Sequence, residues 1–436
     1  MLRSKLLFRK LLLDGDNFQV RINKNHASWR PNVSSRSLAL LFVTSLTVSC
    51  KTTTNSQTLG KDDIKGISPN ERFEYIAKAD TWLGDNSVAS KDLLQGPTSE
   101  VFTTFLPEVD CDFVEPDASN PPGGLTPKFE CNFAFNGKTK TLKIKYDPAS
   151  QEIEGRKGPR NLEVWGEVLS TRLLWALGFA ADRIYPVRVR CHNCPLDPWT
   201  YTRQTLNLIT AGERLTGFLR QDLIDNPKLG SRDTRVYAPA VVEIKYDGPK
   251  IETTEGSGWA WPEMYEHMEN PSERKLTRDA LTILAAFMNH MDNKADQQRL
   301  VCRSKGDIKD GVCEKPVLMI QDAGSTFGNG WAPLQGDIRL NKVDFQKWVD
   351  LSLWANLKSC QVKINGAPNA SLRVSWQVTE QSRALVAGWF AQLSRKQVLD
   401  LFKAAQIELL GPVSAETWTD GFLSKVQRDL LNSKCD

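Results

Sequence analysis

The spacing of apolar residues changes its period along the chain. Leu162, Trp165, Val168, Leu169, Leu173, Leu174 and Leu177 recur three and four residues apart, and Gly178 follows them. Residues at that spacing share one face of a helix, so the pattern predicts a helix over 161–177, stopped by the glycine. The same period predicts helices over 71–83, 272–288, 342–357, 379–393, 395–409 and 415–431. Elsewhere the period is two. Strands are expected at 183–191 and 236–246, and in the pair Cys131-Asn-Phe-Ala-Phe135 and 139–146. Asn136-Gly137 lies between that pair and supplies the positive φ of a tight hairpin. Pro316-Val-Leu-Met-Ile320 is a short apolar run of buried-strand length. Residues 205–223 show neither period.

From about residue 100 the pattern is strand-like apart from the 161–177 helix, and from 272 it becomes mainly helical, with no internal repeat. The fold class expected is α+β: a β-rich part over 96–262 holding one long helix, and a helical part over 263–436. Composition adds that 40% of residues are hydrophobic and 25% charged, enough for a sizeable core. The 13 Trp fit core and cleft lining. Charge excludes one class. Residues 1–49 carry eight Lys/Arg and two Asp, which leaves 48 basic against 50 acidic residues in the remainder. No basic stripe follows, so nucleic-acid binding has no footprint here.

Residues 1–49 change the picture further. After Arg36 comes an apolar run ending at Ser49, then Cys50. The run has signal-peptide length and is too short for a stop-transfer helix. Leu46-Thr-Val-Ser49-Cys50 resembles a lipobox, although Thr47 stands where Leu is usual. The resemblance implies cleavage before Cys50, a lipid such as palmitate on that cysteine, and a membrane-anchored protein facing the periplasm or cell surface. Residues 50–95 would begin with the lipidated cysteine and a polar tether. Eight cysteines then remain: Cys111, Cys131, Cys191, Cys194, Cys302, Cys313, Cys360 and Cys435. An even number suits four disulfides in an oxidising compartment. Proximity in sequence favours Cys111–Cys131, Cys191–Cys194, Cys302–Cys313 and Cys360–Cys435. The other use is a zinc site, for which the one Cys-x-x-Cys, with His192 inside it, is the sole candidate.

Four features carry candidate chemistry. Leu142-Lys143-Ile144-Lys145 alternates, so both lysines share a strand face. Glu163 and Glu167 lie on the long helix that follows. His290-Met291-Asp292-Asn293-Lys294-Ala295-Asp296-Gln297 comes straight after an apolar helix. Ile320-Gln321-Asp322-Ala323-Gly324 ends a buried strand in an acid and a glycine, where a metal ligand is commonly presented. In that order the four features resemble the protein-kinase-like fold across about residues 100–330. The variant is nearer the secreted Fam20-like, spore-coat CotH-like, HipA-like and phosphoinositide-kinase-like groups than ordinary Ser/Thr kinases. The resemblance implies a two-lobed molecule, with a β-rich N-lobe and a helical C-lobe, using ATP and Mg²⁺ or Mn²⁺. It also implies roles. Lys145 would contact the α- and β-phosphates, held by Glu167, with Gly123 and Gly124 covering the nucleotide. Asp322 and Gln297 would bind metal, and Asp292 would orient or deprotonate the acceptor hydroxyl. Two departures stand out. Gln297 occupies a place where Asn is usual, and Gly123-Gly124 does not follow Gly-x-Gly-x-x-Gly spacing.

Two other functional classes follow from the same residues. One is a catalytically inactive, pseudokinase-like lipoprotein, favoured by Gln297 and by a compartment poor in ATP. The other is a structural envelope lipoprotein that binds a protein partner, whose identity the sequence leaves open. Hydrolase chemistry is poorly served: the chain has four His, and neither Gly-x-Ser-x-Gly nor His-Glu-x-x-His.

Overall fold

Strand alternation in the first half of the chain closes a sheet on itself. The computed structural model describes residues 63–84, 87–98, 102–135, 137–210, 219–254, 256, 258–267, 272–328, 342–365 and 376–435. The expected leader over 1–49, Cys50 and the tether up to residue 62 lie outside the described residues. The described residues all fall within one unit, Thr52–Asp436. Among them, no helix is long and apolar enough to cross a membrane.

Strand β1 (Ile64–Ile67) and helix α1 (Pro69–Lys78) come first. Ser68 caps α1 reciprocally: Glu71 N donates to Ser68 Oγ at 3.2 Å, and Ser68 N donates to the Glu71 carboxylate at 2.7 Å. Then follow β2 (Glu108–Phe113), β3 (Lys128–Phe135), β4 (Lys138–Tyr146), α2 (Glu163–Ala176), β5 (Arg183–Cys194), α3 (Pro198–Thr205) and β6 (Asp233–Ile244). Strands β2–β3–β4–β6–β5 form a closed barrel, antiparallel except where β5 returns parallel to β2. Closure leaves no open sheet edge. Phe129, Phe133, Ile144, Tyr146, Val187, Val189, Tyr237 and Val242 fill its interior. Alternation turns Lys143, Lys145, Val241 and Glu243 the other way. Val241 joins the second core, which is where α2 packs.

The second half comprises β7 (Ile251–Thr253), α4 (Trp261–His267), α5 (Ser272–Met288), β8 (Gln298–Cys302), β9 (Pro316–Ile320), α6 (Phe345–Asp350), α7 (Glu380–Ala391), α8 (Arg395–Ala404) and α9 (Ala415–Val426). Its core is strongly aromatic: the rings of Phe287, Trp348, Phe390, Phe402, Trp418 and Phe422 pack on one another. It is mainly helical, and the short buried strand expected at Pro316–Ile320 is β9. Strands β8 and β9 pair antiparallel, and short strand pairs occur at 308–313 and 354–377. The helix expected over 342–357 is the six-residue α6. Asp344 caps it by accepting from Lys347 N at 3.0 Å. Beyond it, Ser352 exchanges side-chain hydrogen bonds with the Trp354 backbone, and the Trp354 indole donates to Asp429 O at 2.8 Å. Local side-chain bonding outcompetes helix propagation there.

Four disulfides join Cys111 to Cys131, Cys191 to Cys194, Cys302 to Cys313 and Cys360 to Cys435. The first two lie in the barrel interior. The last ties Cys435 to a residue 75 positions earlier.

Candidate functional site

Helix α2 is the element that gathers the charged residues. It is buried nearly all round, so each polar side chain on it must find a partner inside the protein. Gly166 sets how close it can come. A Cβ at Gly166 would overlap the carbonyl oxygen of Gly324. In turn, a Cβ at Gly324 would stand 2.9 Å from Glu163 Cβ and 3.0 Å from Glu167 Cγ. Two facing glycines thus press the segment after β9 onto the helix. Glu163 and Glu167, one turn apart on the same face, are brought to Asp322.

Carboxylate oxygens of Glu163, Glu167 and Asp322 lie within 4.8 Å of one another. Three acids this close, Glu163 and Glu167 buried and Asp322 half-buried, cannot all stay charged without cations. Lys145 supplies one: its ammonium forms an ion pair with Glu167, and both side chains are almost fully buried. Burial opposes the Lys145 charge, but Asp322, Glu167 and Glu163 outweigh it and hold the pKa above that of free lysine. Asp322 is half-buried; desolvation opposes its charge, yet Lys145, Lys128 and Lys143 hold it well below the usual carboxylate range. Burial pushes Glu167 up, and Lys145 offsets this only in part. Glu163 accepts from the Thr126 hydroxyl and pairs with Lys342. Despite its burial, Lys342 and Lys145 keep it below the ordinary value.

The sequence candidates fall into two groups. Lys145, Glu167 and Asp322 converge on one place. Asp292 and Gln297 lie on the adjoining loop, which follows α5 and runs beside the segment after β9. Met291 N donates to Ser325 O at 2.9 Å, and the Gln297 carbonyl accepts from Gln321 N at 3.1 Å and Asp322 N at 3.2 Å. Gln297 is therefore tied to Asp322 through its main chain. Asp292 is about one-third exposed and 3.3 Å from Lys294 Nζ. Burial raises its pKa above the ordinary value, Lys294 opposes that and Asp322 adds to it. Gly123 and Gly124 belong to the loop entering β3. Gly124 has φ +72° and lies against the Lys128 ammonium, and Thr126 of that loop reaches Glu163.

Glu163, Lys128 and Lys342 complete the cluster, and sequence reasoning gives them no role. The signal for Glu163 was its i, i+4 relation to Glu167. Lys128 shows only once strand register pairs it with Lys145. Lys143 and Lys245 flank Glu243 in ion pairs, and Lys245 also reaches Asp182 at 2.9 Å. His290 is fully buried, with Gln298 Nε2 at 3.4 Å from its Nε2.

Carboxylate oxygens are the hard donors that Mg²⁺ and Mn²⁺ take. The buried second oxygen of Glu167 has no hydrogen-bond partner among the described residues. A divalent cation therefore fits this donor set, held by Asp322 with Glu167 and Glu163.

No protein-family model matches the chain, and no curated protein matches it. A solved structure similar to it is the Helicobacter pylori proinflammatory kinase CtkA, at 9% sequence identity and a TM-score of 0.38. That match covers 75% of this chain and 96% of the other. At such similarity it assigns no residue role here.

Proposed function

We propose that the chain is an exported lipoprotein whose described part is a two-lobed, kinase-like phosphotransferase using ATP with Mg²⁺ or Mn²⁺. The observation that supports this best is the buried Lys145–Glu167 ion pair set against Asp322, on a strand, a helix and a post-strand loop in that order. Phosphoryl transfer needs charge neutralised along the phosphates and a hydroxyl held in line, and little covalent help from the protein. Lys145 neutralises charge on the α- and β-phosphates. Glu167 fixes the lysine ammonium. Asp322, with Glu167 and Glu163, would hold a divalent cation, which would supply further neutralisation of phosphate charge. Asp292 accepts the proton of the attacking hydroxyl; a raised pKa suits that base. The new bond joins that oxygen to the γ-phosphorus as the bridging β–γ bond breaks, and ADP leaves. The acceptor is a hydroxyl of protein, lipid or sugar.

Thermal unfolding with millimolar MgATP tests binding, since a ligand that binds only the folded state raises the midpoint. The wild type is expected to shift upward by a few degrees, and Asp322→Asn to lose the shift. No shift in the wild type overturns the reading. A second reading, nucleotide binding without transfer, is favoured by Gln297, which stands where the resemblance to kinases implies an Asn metal ligand. The two part on γ-phosphate release to an acceptor: a shift with no transfer selects the second.

A further inference from the structure

Strand register sets two lysines face to face. In the β3–β4 pair Lys128 stands directly opposite Lys145, and Lys143 lies two residues along β4 on the same face. Side chains directly opposite on one face are near neighbours, and like charges so placed disfavour the pairing. Lys145 and Lys143 have carboxylate partners in Glu167 and Glu243. Lys128 has none: among the described residues it forms no ion pair, and its ammonium rests 5.6 Å from the centroid of the Trp199 ring.

The surroundings of Lys128 point to an anion. On one side is Gly124, where a Cβ would stand 3.3 Å from Lys128 Nζ. On another are Lys143 and Lys145. The acids that reach it, Asp322 and Glu163, do so only as more distant charges, so burial and the two lysines push Lys128 down to about 7. Burial and Lys145 likewise push Lys143 down to about 8. Three lysines crowd onto one flank of the Asp322 cluster, Lys145 buried and Lys128 and Lys143 half-buried, and their like charges repel. They become favourable when a chain of phosphates lies among them.

We propose that Lys128 is a further phosphate-binding residue, and that the cleft recognises a chain of three phosphates through Lys128, Lys143 and Lys145 together. This rests on the nucleotide-site reading above and deepens it. The positions assigned by resemblance to kinases include one such lysine, Lys145, so Lys128 adds a contact that they do not require.

Calorimetry on the full chain with Mg²⁺ and, separately, tripolyphosphate, pyrophosphate and orthophosphate provides the test. The wild type is expected to bind tripolyphosphate most tightly. Lys128→Gln is expected to weaken tripolyphosphate and ATP alike by roughly ten- to a hundredfold, the worth of one charge-assisted hydrogen bond, and pyrophosphate by less. Lys128→Arg keeps the charge and is expected to restore most of the affinity. Ligand-free Lys128→Gln is expected to melt no lower than wild type, because a like-charge opposition has been removed; a purely structural lysine would move that midpoint down. If Lys128→Gln binds tripolyphosphate as wild type does, the inference fails while MgATP binding still upholds the nucleotide site. If the wild type binds neither tripolyphosphate nor ATP, both readings fall.

Discussion

Lys145 and Glu167 are worth most as a pair and cost most when separated. Each is nearly fully buried. Removing one leaves the other as an uncompensated buried charge, a loss of roughly 3–5 kcal/mol. Lys145→Met should therefore lower stability in chemical denaturation, and Lys145→Met with Glu167→Leu should recover part of it; a double variant no better than the single would show that Glu167 is not the partner that matters. His290 gives a separate prediction. Burial pushes it down to about 4, whereas an unfolded histidine titrates near ~6.5. Between those values the unfolded chain takes up a proton that the folded chain refuses. Stability is thus complete above the unfolded value and falls on acidification towards about 4, at up to about 1.4 kcal/mol per pH unit. His290→Asn should flatten that slope, and an unchanged slope would assign it to other groups. At this scale the sequence shows Lys145, Glu167, Asp292 and Asp322 as candidates only through the order of their motifs, which resembles that of kinases. It does not show Lys128 or Lys342, since register and loop path decide what they meet.

Helix α2 matters through its one missing side chain. A mid-helix glycine is ordinarily a cost of roughly 0.5–1 kcal/mol relative to alanine. At Gly166 that cost is met because the helix must touch the Gly324 backbone. Gly166→Ala should accordingly destabilise the fold despite its better helix propensity, and should also abolish the MgATP-induced shift by moving Glu163 and Glu167 off Asp322. Gly388 is the control. It lies in α7 with nothing within 4 Å of its would-be Cβ, so Gly388→Ala should stabilise by about 0.5–1 kcal/mol. If both glycines respond alike, close packing at Gly166 is not what fixes the site. Most helices are legible from their period, because apolar stripes face one core: the expected 161–177, 379–393 and 395–409 correspond to α2, α7 and α8 with short end turns. The 342–357 pattern misleads because Trp354 is buried by a hydrogen-bonded strand turn rather than a helical face. Barrel closure is illegible for a different reason: the parallel β2–β5 pairing joins residues about eighty positions apart and leaves no local trace.

Across the whole molecule, the disulfides and Cys50 decide where such a site would have to work. Cys360–Cys435 closes the longest loop, 75 residues. By chain entropy such a bridge stabilises by roughly 4 kcal/mol, though strain and residual structure often reduce it. It holds Cys435 beside α7, where Cys435 N donates to the Glu380 carboxylate at 3.0 Å. Cys435→Ser should therefore lower the unfolding midpoint well beyond what Cys302→Ser does, because the latter bridge spans only 11 residues; equal effects would mean that loop length is not the source. Thiol labelling of the unreduced, denatured chain should find none of the eight cysteines from Cys111 to Cys435 free, whereas reactive thiols there would place the fold in a reducing compartment. Cys50→Ser should release the protein from membranes, and continued binding would put the anchor elsewhere. If both the oxidised cysteines and the lipid hold, ATP must reach the Lys145 cleft outside the cytosol. The membrane and thiol tests therefore bear on the enzyme reading as directly as any assay of phosphate transfer.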